Sequence, residues 1–475
     1  MHIGQSTIWK NSVFVFFSQV IRLVTNFLIF IGIARLYGPV SLGQFSISFA
    51  VANLCLVLAD FGFDVLLTTE VAQNQNNAKT IIQKYFTLKL VFVTISALVM
   101  AVIPAFKSFS ETSTFLIFLL VPYVVFTSFT NFVYAIFRGF EKFDNETKIS
   151  FYNNAILLIL MFVAGLLDAN ISYLILMFVL AKFIGAVLCI TKLNSLIGYG
   201  VFTLNLEGWK KTAGQVLIFG FHYLFGNLFF KLDTILIGIW IGDEATGIYQ
   251  SSFRIILLLL LIPDILRSSV LPVASRLFSS DLSKWEQINK LVGKILLYMS
   301  IPMTLFVFVF SEIIISFAYG IELYAAAVPI LQMLSVLIII RFYAEPYGLM
   351  ITTSNRQHIR MIIAFIATLL SFVLNYFLIP LYGLSGAAYA AVLVNLIVAC
   401  LYFVFNLNYF LTWIIEVRTI IILMFSLVIT FVIWYFNSGP IFSGILLLGL
   451  LIPILLLGLS REEINIFKKL VLKSI

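Results

Sequence analysis

The sequence predicts an all-α integral membrane protein with about fourteen transmembrane helices. The 475-residue chain is 62% hydrophobic and only 11% charged, whereas about 25% of the residues in an ordinary soluble domain are charged. Many of its apolar runs reach the ~20 residues that a helix needs to cross a bilayer. These runs do not alternate apolar with polar residues, as the strands of a membrane β-barrel would.

The apolar runs are distributed along the whole chain. The predicted spans lie near 11–36, 42–69, 82–104, 113–137, 149–167, 171–191, 213–241, 247–277, 288–316, 324–350, 358–379, 384–406, 417–436 and 441–459. Glycine or proline near most run ends suits the turns between helices. The first run is too long for a signal peptide, so we expect it to remain in the membrane.

Lysine and arginine are concentrated in alternate connections between the runs. The opposite connections hold little beyond Arg35 and Lys107, and they carry acids such as Asp168 and Asp243. The positive-inside rule therefore predicts that both termini are cytoplasmic. An even number of spans satisfies this topology.

The longest polar connection divides the chain into two six-helix parts. We expect an N-terminal lobe at 1–191, a cytoplasmic linker at 192–212, a C-terminal lobe at 213–406, and two additional helices with a cytoplasmic tail at 407–475. No loop is large enough for a soluble catalytic domain. This organisation favours transport over catalysis.

A short repeat supports the division into two halves. Each half has a glycine, four residues, a second glycine, one residue and an aromatic, at the turn that follows its first span. The two copies are Gly38, Gly43 and Phe45, and Gly242, Gly247 and Tyr249. Two related halves with the substrate path at their interface are a transporter architecture.

Nucleic-acid binding and metal chemistry find no support in the sequence. The charges lie in short loops, and no basic stretch with interleaved aromatics is present. Cys55, Cys189 and Cys400 lie in apolar runs without a nearby ligand at metal-binding spacing. We therefore expect no cofactor.

Several short motifs follow one another along the chain. They are Ala34-Arg35-Leu36-Tyr37-Gly38-Pro39 with Gly43-Gln44-Phe45, Asp60-Phe61-Gly62-Phe63 with Thr69-Glu70-Val71-Ala72, Arg138-Gly139-Phe140-Glu141-Lys142-Phe143, Lys231-Leu232-Asp233, and Ile379-Pro380-Leu381-Tyr382-Gly383. Together they resemble the polysaccharide flippases of the multidrug/oligosaccharidyl-lipid/polysaccharide (MOP) exporter superfamily, which translocate O-antigen repeats and related lipid-linked oligosaccharides.

The resemblance implies two lobes around a central cavity and transport by alternating access. It implies movement of undecaprenyl-diphosphate-linked oligosaccharide repeat units from the cytoplasmic to the outer leaflet, for a cell-surface polysaccharide such as the lipopolysaccharide O-antigen. It also implies a location in the bacterial inner membrane, a monomeric transport unit among membrane lipids, and contact with other polysaccharide-assembly proteins.

Cations inside the predicted spans are candidates for binding an anionic cargo, because ionisable groups within a membrane are costly. The candidate cations are Arg22, Lys231, Arg254 and Arg341, and the candidate polar residues beside them are Gln19, Asn26, Tyr223 and Asn227. The alternative is structural pairing, with Arg22 in an interhelical salt bridge and Arg341 neutralised by Glu345 one turn later.

Four acids within the spans are candidates for ion coupling or for a gate. They are Asp60, Asp64, Asp233 and Asp264. The alternative is pairing with basic groups, such as Asp264 with Arg267. We expect Lys89 and Lys182 to extend towards the cytoplasmic interface.

Two other functions remain open. A cation-coupled exporter of small molecules would use intramembrane acids rather than a set of cations, and it would usually lack the last two helices. A membrane glycan polymerase or glycosyltransferase would require a large outer loop or an acid-rich loop site.

Overall fold

The computed structural model describes residues 5–106, 109–167, 169–198, 200, 202–205, 220, 224, 227–407, 417–435, 439–457 and 463, with the side chains of 5–20 and of some later positions, mostly in the last two helices, outside the description. These residues form α-helices and two short 3-10 helices, and no strand occurs among them. The predicted all-α fold class is confirmed.

The helices of the N-terminal half follow one another with short connections. They are α1 (Gln5–Asp60), α2 (Phe63–Gln73), α3 (Ala78–Val102), α4 (Glu111–Leu119), α5 (Val121–Gly139), α6 (Phe143–Leu166), α7 (Ile171–Ile197) and α8 (Leu232–Trp240).

The rest of the described chain continues in the same way. Its helices are α9 (Asp243–Leu259), α10 (Leu261–Ser280), α11 (Leu282–Val309), α12 (Ser311–Tyr319), α13 (Ile321–Tyr324), α14 (Ala327–Thr353), α15 (Gln357–Tyr382), α16 (Leu384–Val404), α17 (Val417–Tyr435) and α18 (Pro440–Leu457).

Ten helical segments among the described residues are long and apolar enough to cross a membrane. One of them, Ile21–Gln73, contains the second predicted span and residues 21–36 of the first, because the helix continues through a kink at Gly38. The predicted spans at 213–241, 417–436 and 441–459 lie partly outside the described residues. The ten apolar segments make this protein a multi-pass membrane protein.

Large apolar side chains cover much of the helix surface. Leu98, Phe162 and Phe317 are 62%, 68% and 82% exposed. Such surfaces are unfavourable in water but match the hydrocarbon interior of a bilayer.

The chain forms two compact units, Met1–Gly247 and Ile248–Ile475. In the first unit the core lies where α2 packs on α3 and α5, and it includes the fully buried Phe63, Tyr85 and Phe137. The predicted lobe limits at 191 and 213 stay predictions.

The core of the second unit is centred on α11, α14 and α16. The fully buried Trp285 of α11 donates a hydrogen bond from Nε1 to Oγ1 of Thr353 in α14, at 2.9 Å. An indole N–H in an apolar interior needs such an acceptor, and this bond therefore helps to hold α11 against α14.

The two additional helices predicted at the C-terminus are tied to α11 by polar contacts. The hydroxyls of Tyr298 and Thr419 lie 2.9 Å apart. The buried Lys294 donates from Nζ to Oε1 of Glu463 at 2.7 Å. This region is therefore held to α11 within the second unit.

The two glycine turns predicted as a repeat, Gly38–Gly43 and Gly242–Gly247, meet in the first unit. A β-carbon on Gly43 would lie 1.7 Å from the carbonyl oxygen of Asp243, and one on Gly247 would lie 1.9 Å from the carbonyl oxygen of Pro39. Gly43 thus faces Asp243, which follows Gly242, and Gly247 faces Pro39, which follows Gly38. The contact is reciprocal, and it excludes any larger side chain at either position.

The side chain of Asp243 fixes the second turn to the start of α4. Its carboxylate accepts hydrogen bonds from the hydroxyls of Ser110 at 2.6 Å and Ser113 at 2.8 Å. The Ser110 hydroxyl also caps α4 by accepting from the backbone N–H of Ser113. The paired glycine turns are thus joined to a third helix.

Replacing Gly43 with alanine should destabilise the protein, although alanine is normally the better helix residue. The new methyl group would overlap the Asp243 carbonyl, and overpacking of this kind costs about 1–3 kcal/mol. Thermal unfolding of the purified protein measures the effect. Gly32→Ala is the matched control on the same helix, because no atom lies within 4 Å of its β-carbon position. Equal stability of the two variants would contradict the tight contact.

Candidate functional site

The predicted polar residues of α1 differ in their exposure. The Arg22 side chain is 38% exposed and Asn26 is exposed, whereas Thr25 is buried. The side chain of Gln19 lies outside the described residues. Arg22 and Asn26 therefore present polar groups on one side of the helix.

Arg22 lies beside a buried carboxylate on another helix. Its Nη2 atom is 3.7 Å from Oε1 of Glu146, near the start of α6. Arg138, at the end of α5, donates from Nε to Oε2 of Glu146 at 2.7 Å and from Nη2 to Oε1 at 2.6 Å. We call Arg22, Arg138 and Glu146 the arginine cluster. Arg138 makes the short two-pronged pair that a guanidinium forms with a carboxylate, and the contact of Arg22 with Glu146 is longer.

A second buried cluster surrounds Asp60 at the end of α1. Its Oδ1 atom accepts from Nζ of Lys89 at 2.5 Å and from the hydroxyl of Ser128 at 2.6 Å, and its Oδ2 accepts from Asn131 at 2.8 Å. We call these four residues the Asp60 cluster. Three helices meet through this one carboxylate.

The prediction that Lys89 extends to the interface is wrong. Its side chain is 0% exposed, and its Nζ lies 5.5 Å from the centre of the Phe63 ring as well as on Asp60. A buried ammonium group is tolerated when an opposite charge and hydrogen-bond partners surround it. The Lys182 side chain is half-buried and donates from Nζ to Oδ1 of Asn153 at 3.3 Å, and its extension towards the interface stays a prediction.

A helix break places Asp60 and Asp64 on either side of a turn. Phe61 has φ 29° and Gly62 has φ 81°, and these positive values end α1 and start α2. The Phe61 ring occupies the space where a β-carbon of Gly220 would lie, 1.9 Å away. The break therefore sits in a tightly packed environment.

Asp64 lies between the two clusters. It interacts electrostatically with Asp60 and Lys89 on one side and with Arg138 and Glu146 on the other. Its Oδ1 atom is buried and has no hydrogen-bond partner in the described part of the chain. Burial of an unpaired carboxylate oxygen is costly, so Asp64 stands apart from the well-paired Asp60.

Three of the predicted polar residues lie at or near the start of α8. Asn227, Lys231 and Asp233 are half-buried, and Lys231 lies at the N-terminus of α8. Tyr223 lies outside the described residues. The polar interpretation of this helix stays a prediction.

In the second unit, Arg267 joins two acids. Its Nη2 lies 3.0 Å from Oδ1 of Asp264 and its Nη1 lies 3.3 Å from Oε1 of Glu345. The local pair of Asp264 with Arg267 was predicted, but the bridge to Glu345 was not. Glu345 is thus shared with another helix, in addition to its electrostatic interaction with Arg341.

The remaining candidate cations of the second unit are half-buried. Arg254 of α9 interacts electrostatically with Tyr319. Arg341 of α14 interacts with Glu345, Tyr402 and Asp264. Within the described ranges, no three metal-binding side chains of the His, Cys, Asp or Glu type come together.

Sequence reasoning missed Glu146, Ser128 and Asn131. Ser128 and Asn131 lie three residues apart in an apolar run, so they stand on one face of α5. That spacing was a usable signal. Glu146 gave a weaker signal, because it follows a loop rich in charged residues and resembles an ordinary surface acid.

Apolar helices with ion-paired clusters inside them are typical of multi-pass membrane transporters. Residues 8–278 match the family model described as "Polysaccharide biosynthesis protein", and the chain belongs to this family. Residues 219–377 also match the MatE model. The resemblance to the polysaccharide flippases of the MOP superfamily is confirmed, and the chain falls among transporters rather than enzymes.

Two curated relatives are similar over part of the chain. The "Probable flippase AglR" of Haloferax volcanii is 27% identical over 209 residues, which are 41% of this chain and 43% of the relative. The "Teichuronic acid biosynthesis protein TuaB" of Bacillus subtilis is 30% identical over 161 residues, 33% of this chain and 32% of the relative. The matches thus span less than half the length of each relative.

Solved structures share the fold at low sequence identity. A lipid II flippase MurJ in an inward closed conformation has a TM-score of 0.74 and 16% identity, covering 97% of this chain and 99% of that one. An inward-facing multidrug resistance MATE family transporter of the MOP superfamily has a TM-score of 0.69 and 14% identity, covering 82% and 94%. These likenesses establish the MOP fold.

Replacing Lys89 with methionine should strongly destabilise the protein. The substitution keeps the apolar stem but leaves the Asp60 carboxylate buried without its counter-ion, which costs about 3–5 kcal/mol. Thermal unfolding and the yield of folded protein measure the loss.

Lys148→Met is the matched control for this prediction. Lys148 pairs with Asp144 at 3.4 Å and its side chain is 66% exposed, so its removal should change stability by less than about 1 kcal/mol. A loss of similar size in both variants would show that the buried pair has no special role.

Proposed function

We propose that the protein is a flippase that moves undecaprenyl-diphosphate-linked oligosaccharide units from the cytoplasmic to the outer leaflet. Three features support this. The chain belongs to the polysaccharide biosynthesis protein family, it has the MOP fold, and one of its relatives is named a probable flippase. Within the chain, the observation that carries the proposal is the 38% exposed Arg22 next to the ion pair of Arg138 with the buried Glu146.

The physical reason for cations in such a protein is the charge of the cargo. A diphosphate head group is strongly disfavoured in a low-dielectric space unless compensating charges replace its water. A guanidinium offers a planar pair of donors to phosphate oxygens. Arg22, Lys231, Arg254 and Arg341 are the residues proposed to contact the head group, with Asn26 and Asn227 as polar neighbours.

Alternating access requires a contact that closes one side of the path and later opens. The paired glycine turns are suited to this role, because backbone meets backbone there without intervening side chains. Both turns lie on the side that the charge distribution assigns to the outside. We therefore infer that they separate when the cargo leaves towards the outer leaflet.

The proposed setting is the cytoplasmic membrane, with both termini inside. The supporting observation is the placement of lysine and arginine in alternate loops. The cargo would serve a cell-surface polysaccharide, in cooperation with other assembly proteins.

One observation favours a second function. Residues 219–377 match the MatE model, and relatives of that type include the multidrug resistance MATE family transporter that shares this fold. A cation-coupled exporter of small molecules is therefore the alternative. Mass spectrometry of the lipid that co-purifies with the protein separates the two, because only a flippase should carry a diphosphate-linked glycan.

Arg22→Ala should reduce glycan translocation at least tenfold, with the order of magnitude set by loss of a charge-assisted contact. Translocation is measured in proteoliposomes at equal protein content, and the co-purified glycolipid should fall in parallel. Arg35→Ala, an exposed site near the end of the same span, should retain transport. Normal transport by Arg22→Ala would remove Arg22 from the site.

We further propose that Asp64 is the acid that binds a coupling proton. Asp60 accepts three hydrogen bonds and Asp264 pairs with Arg267, whereas Asp64 has a buried oxygen without a partner in the described part of the protein. A protonated carboxyl would tolerate that burial better than a carboxylate.

Asp64→Asn should abolish the part of transport that depends on an imposed pH gradient, because the amide cannot release a proton. Gradient-independent exchange of labelled cargo should persist. The assay compares proteoliposomes with and without a protonophore, with Asp264→Asn as the control variant that remains coupled. If the protonophore leaves wild-type transport unchanged, coupling at Asp64 is untenable.

A further inference from the structure

Glu146 lies between two arginines and is closer to one of them than to the other. The residue is buried, with 4% exposure. Both of its oxygens accept from Arg138 at 2.6–2.7 Å, and Arg22 lies 3.7 Å from Oε1. The three residues of the arginine cluster together carry a net charge of +1, and Asp64 and Lys182 interact electrostatically with members of the cluster.

We propose that Glu146 is a positioning residue that limits how tightly the arginine cluster holds an anionic head group. This inference rests on the proposed function. A transporter gains nothing from gripping its cargo so firmly that release becomes slow. The buried carboxylate orients Arg138 through two bonds and repels part of the negative charge that approaches Arg22.

The net charge of the arginine cluster leads to a specific prediction for Glu146→Gln. The amide keeps the size and one acceptor of the side chain but raises the net charge of the cluster from +1 to +2. Over a separation of about 8–10 Å at an effective dielectric constant of about 50–60, between the values for a protein surface and for bulk water, this change should tighten the binding of a dianion about tenfold. The rate of translocation should fall, because release slows.

The test measures the binding of radiolabelled farnesyl diphosphate to the full chain in nanodiscs, with farnesol as the uncharged control. Glu146→Gln should bind farnesyl diphosphate about tenfold more tightly, with a steeper decrease in affinity as salt is raised. Translocation of the glycolipid should be slower. Asp144→Asn, which removes an acid from the exposed Lys148 pair on the same helix, should change neither quantity.

A purely structural role for Glu146 predicts the opposite result. In that case Glu146→Gln would lose Arg138 from its position and would bind farnesyl diphosphate more weakly or without change, which would overturn the inference. If this variant does not fold, the same binding measurement is made on the double variant that combines Arg138→Gln with Glu146→Gln. The double variant restores a net charge of +1 and an amide pair, so affinity within about twofold of wild type supports the inference, and a loss of binding overturns it.

Failure of the proposed function gives a separate result. If Arg22→Ala binds farnesyl diphosphate as tightly as the wild type, this cluster does not contact the head group, whatever Glu146 does. If Arg22→Ala loses binding and Glu146→Gln loses it too, the head-group site stands and only the role of Glu146 is wrong.

Discussion

The constraint on which this structure depends is that a charge buried among apolar helices needs an opposite charge and hydrogen-bond partners. Asp60 meets this constraint by collecting Lys89, Ser128 and Asn131 around one carboxylate. These residues come from α1, α3 and α5, so the need for a counter-ion also determines which helices are neighbours. Hydrophobic packing alone would discriminate less strongly between neighbours, because lipid and apolar side chains offer similar surroundings.

The same constraint allows different strengths of pairing. Lys89 is fully buried on Asp60, and Arg138 is held by two short bonds to Glu146. The contact of Arg22 with Glu146 is longer, at 3.7 Å, whereas the Arg22 and Arg138 side chains are similarly exposed, at 38% and 33%. Short, buried contacts such as that of Lys89 with Asp60 support the fold. The proposed head-group site lies beside this network, at the longer contact between Arg22 and Glu146.

Hydropathy was sufficient to predict the helical architecture, because a bilayer imposes a minimum length and an apolar composition on each span. The helix break at Phe61 and Gly62 was not predicted, since nothing in a run of apolar residues distinguishes a continuous helix from one that turns at a glycine.

Lys89 was misplaced for a related reason. Its position in the span suggested extension to the interface, and only the tertiary structure reveals that Asp60, twenty-nine residues away, provides a counter-ion. Glu146 was missed because a surface acid and a buried acid have the same local sequence.

The glycine repeat illustrates how a weak sequence signal acquires meaning in three dimensions. In the sequence, Gly43 and Gly247 are two members of a short pattern. In the structure, each approaches the backbone of the other turn, and the atoms that they meet are equivalent under the repeat, the carbonyl oxygens of Asp243 and Pro39. The two close contacts of this pair form or break together, because moving one turn away from the other separates Gly43 from Asp243 and Gly247 from Pro39 at once. The Asp243 carboxylate adds two serine hydroxyls to that unit. The contact therefore depends on backbone geometry and one acid, and it involves no large side chains, which is why we propose it as the place where the path of a bulky cargo closes.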